Sequence, residues 1–245
     1  MPYIRNMSIR LTFFFFFIGT MILSAQDPLP RDTFDITRSS IQFPHHYKKY
    51  GFQVSAGLSM VKPPKDLLEN SYQAPLVNIH ATFGLPANFS IEGDLTTLVV
   101  SNQLSLGPRY CFLYRNFGVK AGWDVAFVYG QLKQGGFDNS TMAWFHYPNL
   151  SVGYKLKKMA FTLKGELVVV AKTVTKSGEN EVINSRNFVN GYTFALYIEQ
   201  RIHKNKVFAI GIKDNYVKVY WPVWMIFTTF NRYYHIPELS FSWYL

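Results

Sequence analysis

The chain has 245 residues, 48% hydrophobic and only 16% charged, with a formal net charge of +10; no Gly/Ser-rich or Pro-rich linker divides it, so it reads as one domain. After residue 25 no apolar run approaches the ~18 residues of a spanning helix, which argues against helical membrane segments. Aromatics reach 18%, with 22 Phe, 16 Tyr and 5 Trp, a balance that suits strands and membrane interfaces better than a soluble helical core.

Residues 1–25 have the layout of a cleaved signal peptide. Arg5 and Arg10 precede an apolar block from Leu11 to Leu23, and the small residues Ser24 and Ala25 offer a cleavage point before Gln26. No cysteine stands there to carry a lipid, and the single cysteine, Cys111, has no partner for an internal disulfide. An exported basic chain meets anionic lipid, anionic glycan or an acidic partner; nucleic acid is not its target. Residues 26–49, with prolines and mixed charge, read as a lead-in without a domain of its own.

From Tyr50 onward apolar residues alternate with small or polar ones at period two, in runs long enough for a tilted strand to cross a bilayer. The first run sets Phe52, Val54, Ala56, Leu58 and Met60 against Gln53, Ser55, Gly57 and Ser59. The second carries Val77, Ile79, Ala81 and Phe83, and the third Phe89, Ile91, Leu95 and Val99. Leu104, Leu106, Tyr110 and Phe112 mark the fourth; Phe117 to Tyr129 form the fifth; Leu150, Val152, Tyr154 and Leu156 the sixth. Phe161, Leu163, Leu167 and Val169 mark the seventh, and Tyr192, Phe194, Leu196 and Ile198 the eighth. Phe208, Ile210 and Ile212, then Leu239, Phe241, Trp243 and Leu245, complete ten strands.

The connections alternate in length. Segments 61–74, 131–142, 173–187 and 217–230 are long, whereas 85–88, 115–116, 157–158 and 203–206 are short; a tight hairpin at Ser101 and Asn102 is the exception. Short turns on one side and long loops on the other characterise outer-membrane barrels, and ten strands bring both chain ends to the periplasmic side. The terminal Trp243, Tyr244 and Leu245 resemble the signal read by barrel-assembly machinery, with Leu in place of the usual Phe. Residues 50–245 as a whole resemble small bacterial outer-membrane β-barrel proteins. The resemblance implies an all-β, antiparallel transmembrane barrel integral to the outer membrane, preceded by a cleaved signal peptide. Girdles follow: Phe83, Phe89, Phe112, Tyr114, Phe117, Tyr154, Phe161 and Trp243 at the periplasmic rim, with Phe127, Tyr129, Trp144, Tyr147, Phe188, Tyr192 and Tyr233 at the external one.

The face opposite the apolar one carries Glu92, Asp94, Arg109, Lys120, Asp124, Lys155, Lys164, Glu166, Glu199, Arg201 and Glu238, nearly balanced in sign, and such charges must pair or meet water. A hairpin centred on Ser101 and Asn102 sets Asp94 opposite Arg109, with Asp124 in diagonal reach. Lys164 and Glu166 with Glu199 and Arg201 form a second group on strands seven and eight. A salt-bridged filling of a narrow lumen explains these residues better than a pore or a catalytic acid pair.

His45 and His46 precede the barrel, His203 sits in a short turn, His80 points inward, and His146 and His235 share the lipid-facing parity. Lipid A deacylases and outer-membrane phospholipases pair a His with a Ser two residues on, and no His-x-Ser occurs here; the acidic arrangement of omptin proteases is not reproduced either. No His-x-x-x-His or cysteine cluster offers a metal site, and no cofactor is implied.

The stretch Trp221 to Phe230, reading WPVWMIFTTF, is too apolar for an open external loop. Trp221, Trp224, Phe227 and Phe230 are expected to meet lipid, the barrel mouth or another protein. External Lys62, Lys65, Lys133, Lys172, Lys176 and Arg186 suit lipopolysaccharide phosphates. The reading is a non-enzymatic barrel, either a membrane anchor or a subunit of a larger outer-membrane assembly. A small porin-like channel and a lipid-modifying enzyme are the alternatives.

Overall fold

The computed structural model describes residues 40–64, 74–98, 100–134, 137–156, 159–203, 206–223 and 232–244. Among them ten antiparallel strands close into a barrel: β1 (Phe52–Val61), β2 (Ala74–Gly84), β3 (Phe89–Leu98), β4 (Ser101–Tyr114), β5 (Phe117–Gln134), β6 (Phe137–Leu156), β7 (Met159–Ser177), β8 (Asn180–His203), β9 (Lys206–Val217) and β10 (Tyr234–Tyr244). Each strand pairs with its neighbours in sequence, and β10 returns to β1 in the register Ala56–Trp243 and Leu58–Phe241. Closure gives every strand a neighbour on both sides over the shared crossing, whereas β5 beyond Gly130 and β8 before Gly191 are paired on one side only.

The period-two pattern decides which side chains face where. Leu58, Met60, Val77, Ile79, Leu104, Leu106, Leu163, Leu196 and Ile212 are exposed on the outer wall, while Ser55, Ser59, Thr82, Ser90, Ser151 and Thr162 are buried inside. Water does not tolerate a continuous apolar belt of this kind on a monomer, whereas hydrocarbon does.

Strands β5 to β8 are 18, 20, 19 and 24 residues long, about twice what a crossing requires. Segments 131–142 and 173–187, expected as loops, are therefore mostly strand. Their polar residues pair across the ladder: the Thr141 and Thr175 hydroxyls are 2.9 Å apart, and Lys133 lies 3.7 Å from Asp138. Backbone pairing continues wherever cross-strand partners match, with or without an apolar face. Gly178, at φ +60°, turns the chain from β7 into β8.

The β3–β4 hairpin differs from its expected register. Asp94 pairs with Ser105, and Arg109 with Ser90, so Asp94 and Arg109 are not opposite each other. Ser101 is buried and the Thr97 hydroxyl donates to Asn102 Oδ1 at 2.6 Å; the two residues taken for the turn lie on β4, paired with Leu98 and Thr97, and the link lies between Leu98 and Ser101. Two girdle assignments also change. Tyr147 stacks on Phe145 inside the barrel, and Phe188 packs against the interior apolar cluster. Bulges near Trp144 and Val168 shift the parity of these strands relative to their partners.

Candidate functional site

The lumen is organised in levels. At its heart β4 and β5 place Arg109 opposite Gly122, and the missing side chain at 122 lets the guanidinium fold across the wall to Asp124. Nη1 and Nη2 donate to the two carboxylate oxygens at 2.6 Å each, a bidentate fork. Arg109 Nε lies 3.3 Å from Glu92 Oε2, and Lys120 Nζ donates to Glu92 Oε1 at 2.7 Å. Asn149 Nδ2 adds a bond to Asp124 at 3.1 Å. Four charges with at most 4% exposure thus neutralise one another, as burial in a low-dielectric wall demands.

Further along, Lys164 lies 2.7 Å from Glu166, and Lys213 3.5 Å from Glu238. On the opposite wall the His80 Nδ1–H donates to Asp94 at 2.6 Å, with the Thr82 hydroxyl 3.1 Å from Nε2. Asp, His and hydroxyl stand in a hydrolase-like order, with Thr82 2% exposed. These groups surround a cavity of about 180 Å³ that also reaches Asn78, Thr96, Gln103 and Tyr197. Side chains alone do not fill the barrel.

What closes the short-turn end is the chain itself. Residues from Ser40, expected as a lead-in outside the barrel, lie within it. Glu199 accepts from the Ser40 hydroxyl at 2.8 Å and from three successive backbone N–H groups, Ile41 at 3.0 Å, Gln42 at 2.5 Å and Phe43 at 2.6 Å. One buried carboxylate so satisfies four donors, the arrangement that makes burial of a charge tolerable. Gly118 and Gly153 face each other across β5 and β6, and a Cβ on either would collide with Phe43 or Pro44; one on Gly84 would collide with Lys48. The Tyr47 hydroxyl reaches Glu92 at 3.4 Å. The His45 N–H donates to the Phe43 carbonyl at 2.9 Å, and burial pushes the His45 pKa down to about 4.

The long-strand end is apolar. Val61, Leu76, Val128, Phe145, Val170, Val217 and Ile236 converge there beneath Val219 and Tyr220. The bulge at Asn190 turns its amide inward, where it donates to the Val219 carbonyl and accepts from the Val219 N–H, both at 2.7 Å. This seats the following 3-10 turn, Trp221–Val223, over the cluster.

Of the residues singled out in the sequence, Arg109 and Asp124 come together, as do Lys164 and Glu166. Asp94 joins His80 instead. Glu199 does not join Lys164 and Glu166, because β8 places Ala195 opposite Lys164 and Glu199 opposite Ala160, nearer the short turns. Arg201 is half-buried on the same side. Trp221 packs against the interior cluster; Trp224, Phe227 and Phe230 lie outside the described residues. His146 and His235 face outward, His146 accepting from the Trp123 indole at 3.2 Å and His235 lying 2.7 Å from Asp214. Sequence reading missed the segment Ser40–Tyr47 and the apolar cap. The signals for them were inward glycines at matched positions and the doubly apolar run Val168–Val170, which departs from alternation.

No protein-family model matches the chain, and no curated protein matches it. Among solved structures, Neisserial surface protein A has a TM-score of 0.38 at 14% identity over 79% of this chain and 96% of its own. Ail, the attachment invasion locus protein of Yersinia pestis, has 0.40 at 8% over 80% and 98%. The translocator domain of the autotransporter NalP from Neisseria meningitidis has 0.43 at 8% over 80% and 88%. These are distant similarities to barrels; the architecture described above rests on the chain's own strand order and register.

Proposed function

We propose that the protein is a non-enzymatic, integral outer-membrane barrel that serves as a membrane anchor or as a subunit of a larger outer-membrane assembly, and does not conduct at rest. The observation that carries this reading is the short-turn end of the lumen, occupied by Ser40–Tyr47 and latched to Glu199. An occupied lumen with a paired ion network supports a closed resting state. The apolar belt supplies the anchoring surface, and the strands of β5 to β8 beyond it supply a rigid wall for partners. Outer-membrane lipid, lipopolysaccharide and other outer-membrane proteins are the expected contacts, with barrel-assembly machinery needed for insertion.

Membrane fractionation followed by native electrophoresis in mild detergent tests this reading, the expected result being outer-membrane fractions and a complex larger than one barrel in its micelle. A solitary barrel in native membranes counts against the assembly role. A small channel is the second reading, favoured by the cavity of about 180 Å³ and its charged walls. Wild-type protein is expected to be silent in planar bilayers; a steady conductance altered by Asp94→Asn supports the channel instead.

A further inference from the structure

We propose that Lys172 and Arg186 form a binding site for the phosphate of a glycolipid headgroup, a lipid A phosphate of the external leaflet; the inference rests on the outer-membrane reading above. The two residues are directly opposite each other on β7 and β8, and both are exposed. Like charges in that relation repel, so the pairing costs stability unless an anion joins it. The other cations of the long hairpins are differently placed. Lys133 has Asp138 at 3.7 Å, and Lys176 faces Glu181 in register. Among the described residues no carboxylate is paired with Lys172 or Arg186.

Their position selects the kind of anion. Leu163, Leu167, Val189, Tyr192 and Phe194 are exposed on the same two strands, on the short-turn side of Lys172 and Arg186. Trp144 is opposite Lys172 on β6 and is itself exposed; an indole at that level marks headgroup depth. Acyl chains lying against the apolar wall thus bring a headgroup to the two cations. The guanidinium offers a planar fork that matches two phosphate oxygens, and the ammonium adds a point charge beside it. A phosphate monoester there converts a repelling pair into a neutralised one.

The test uses full-length protein freed of lipid in detergent, with phosphorylated lipid A, dephosphorylated lipid A or inorganic phosphate added. Native mass spectrometry reads the bound lipid, and thermal unfolding reads Tm. Phosphorylated lipid A is expected to be retained and to raise Tm. The double variant Lys172→Gln/Arg186→Gln should lose retention by about tenfold or more, a 1.4 kcal/mol difference or greater. Lys172→Gln alone should have a Tm equal to or above wild type without lipid and below it with lipid A, since the repulsion and the phosphate contact are removed together. Lys133→Gln should leave retention unchanged.

Equal retention by the double variant, equal retention of dephosphorylated lipid A, or an equal loss in Lys133→Gln overturns the site. A Tm rise of the same size with inorganic phosphate at matched concentration identifies a free-anion site and overturns the lipid assignment. Fractionation of the native membrane tests the underlying reading separately, so a protein in the outer membrane that ignores lipid A defeats only this inference.

Discussion

Arg109 illustrates how a charge is kept inside a barrel wall. Its fork on Asp124, the neighbouring Glu92 and the absent side chain of Gly122 are mutually dependent. Removing one partner of such a pair leaves an uncompensated buried charge, a loss of roughly 3–5 kcal/mol. Asp124→Ala is therefore expected to destabilise the folded barrel by about that much in urea unfolding from detergent. Asp94→Ala should cost clearly less, since Asp94 bonds His80 at the cavity. A register with Asp94 opposite Arg109 reverses that order, so the two variants test the pairing itself. Asp94, Arg109 and Asp124 are all legible in the sequence as inward charges, because strand parity alone sets the face. Which carboxylate meets the guanidinium is not, because it depends on where one hairpin turns.

At the scale of the element, the segment Ser40–Tyr47 is held by one carboxylate and by the space that inward glycines leave for it. Hydrogen bonds to a charged acceptor contribute about 1.5–3 kcal/mol each before non-additivity. Glu199→Ala should release the segment while the barrel stays closed. Cys111, buried with 2% exposure on the inner wall, is a native reporter: maleimide labelling is expected to accelerate about tenfold or more, a shift of at least 1.4 kcal/mol in docking. Gly118→Val should do the same through collision with Pro44. Unchanged labelling in both variants contradicts the latch.

His45 adds a pH dependence to the same element. Its folded value of about 4 lies below the ordinary 6.5, so the released segment takes up a proton that the docked one refuses. Docking is unaffected above about pH 6.5, weakens as pH falls toward 4, and levels off below that. Hydrogen exchange of the Ile41, Gln42 and Phe43 amides, corrected for intrinsic rates, should show protection declining across this window. His45→Phe should flatten that decline.

At the scale of the molecule, pairing between β1 and β10 closes the ring of strands. Truncation after Ile236 removes the register from Glu238 to Tyr244 on β1 and exposes two strand edges. That variant is expected to give no heat-modifiable band in electrophoresis, whereas Glu199→Ala keeps one. Ten strands, the outward belt and the faces of the unbulged stretches were determined by the sequence alone, because period-two alternation is a local property; the bulges that turn Tyr147 and Phe188 inward were not. The polar hairpin extensions of β5 to β8 carry no such signal and emerge only from pairing between strands. The Asn190 bulge, the apolar cap and the Glu199 latch were likewise decided by tertiary structure. Glu199 and Ser40 are 159 positions apart, and no local pattern records that a closed wall will bring a carboxylate to the backbone of a distant segment.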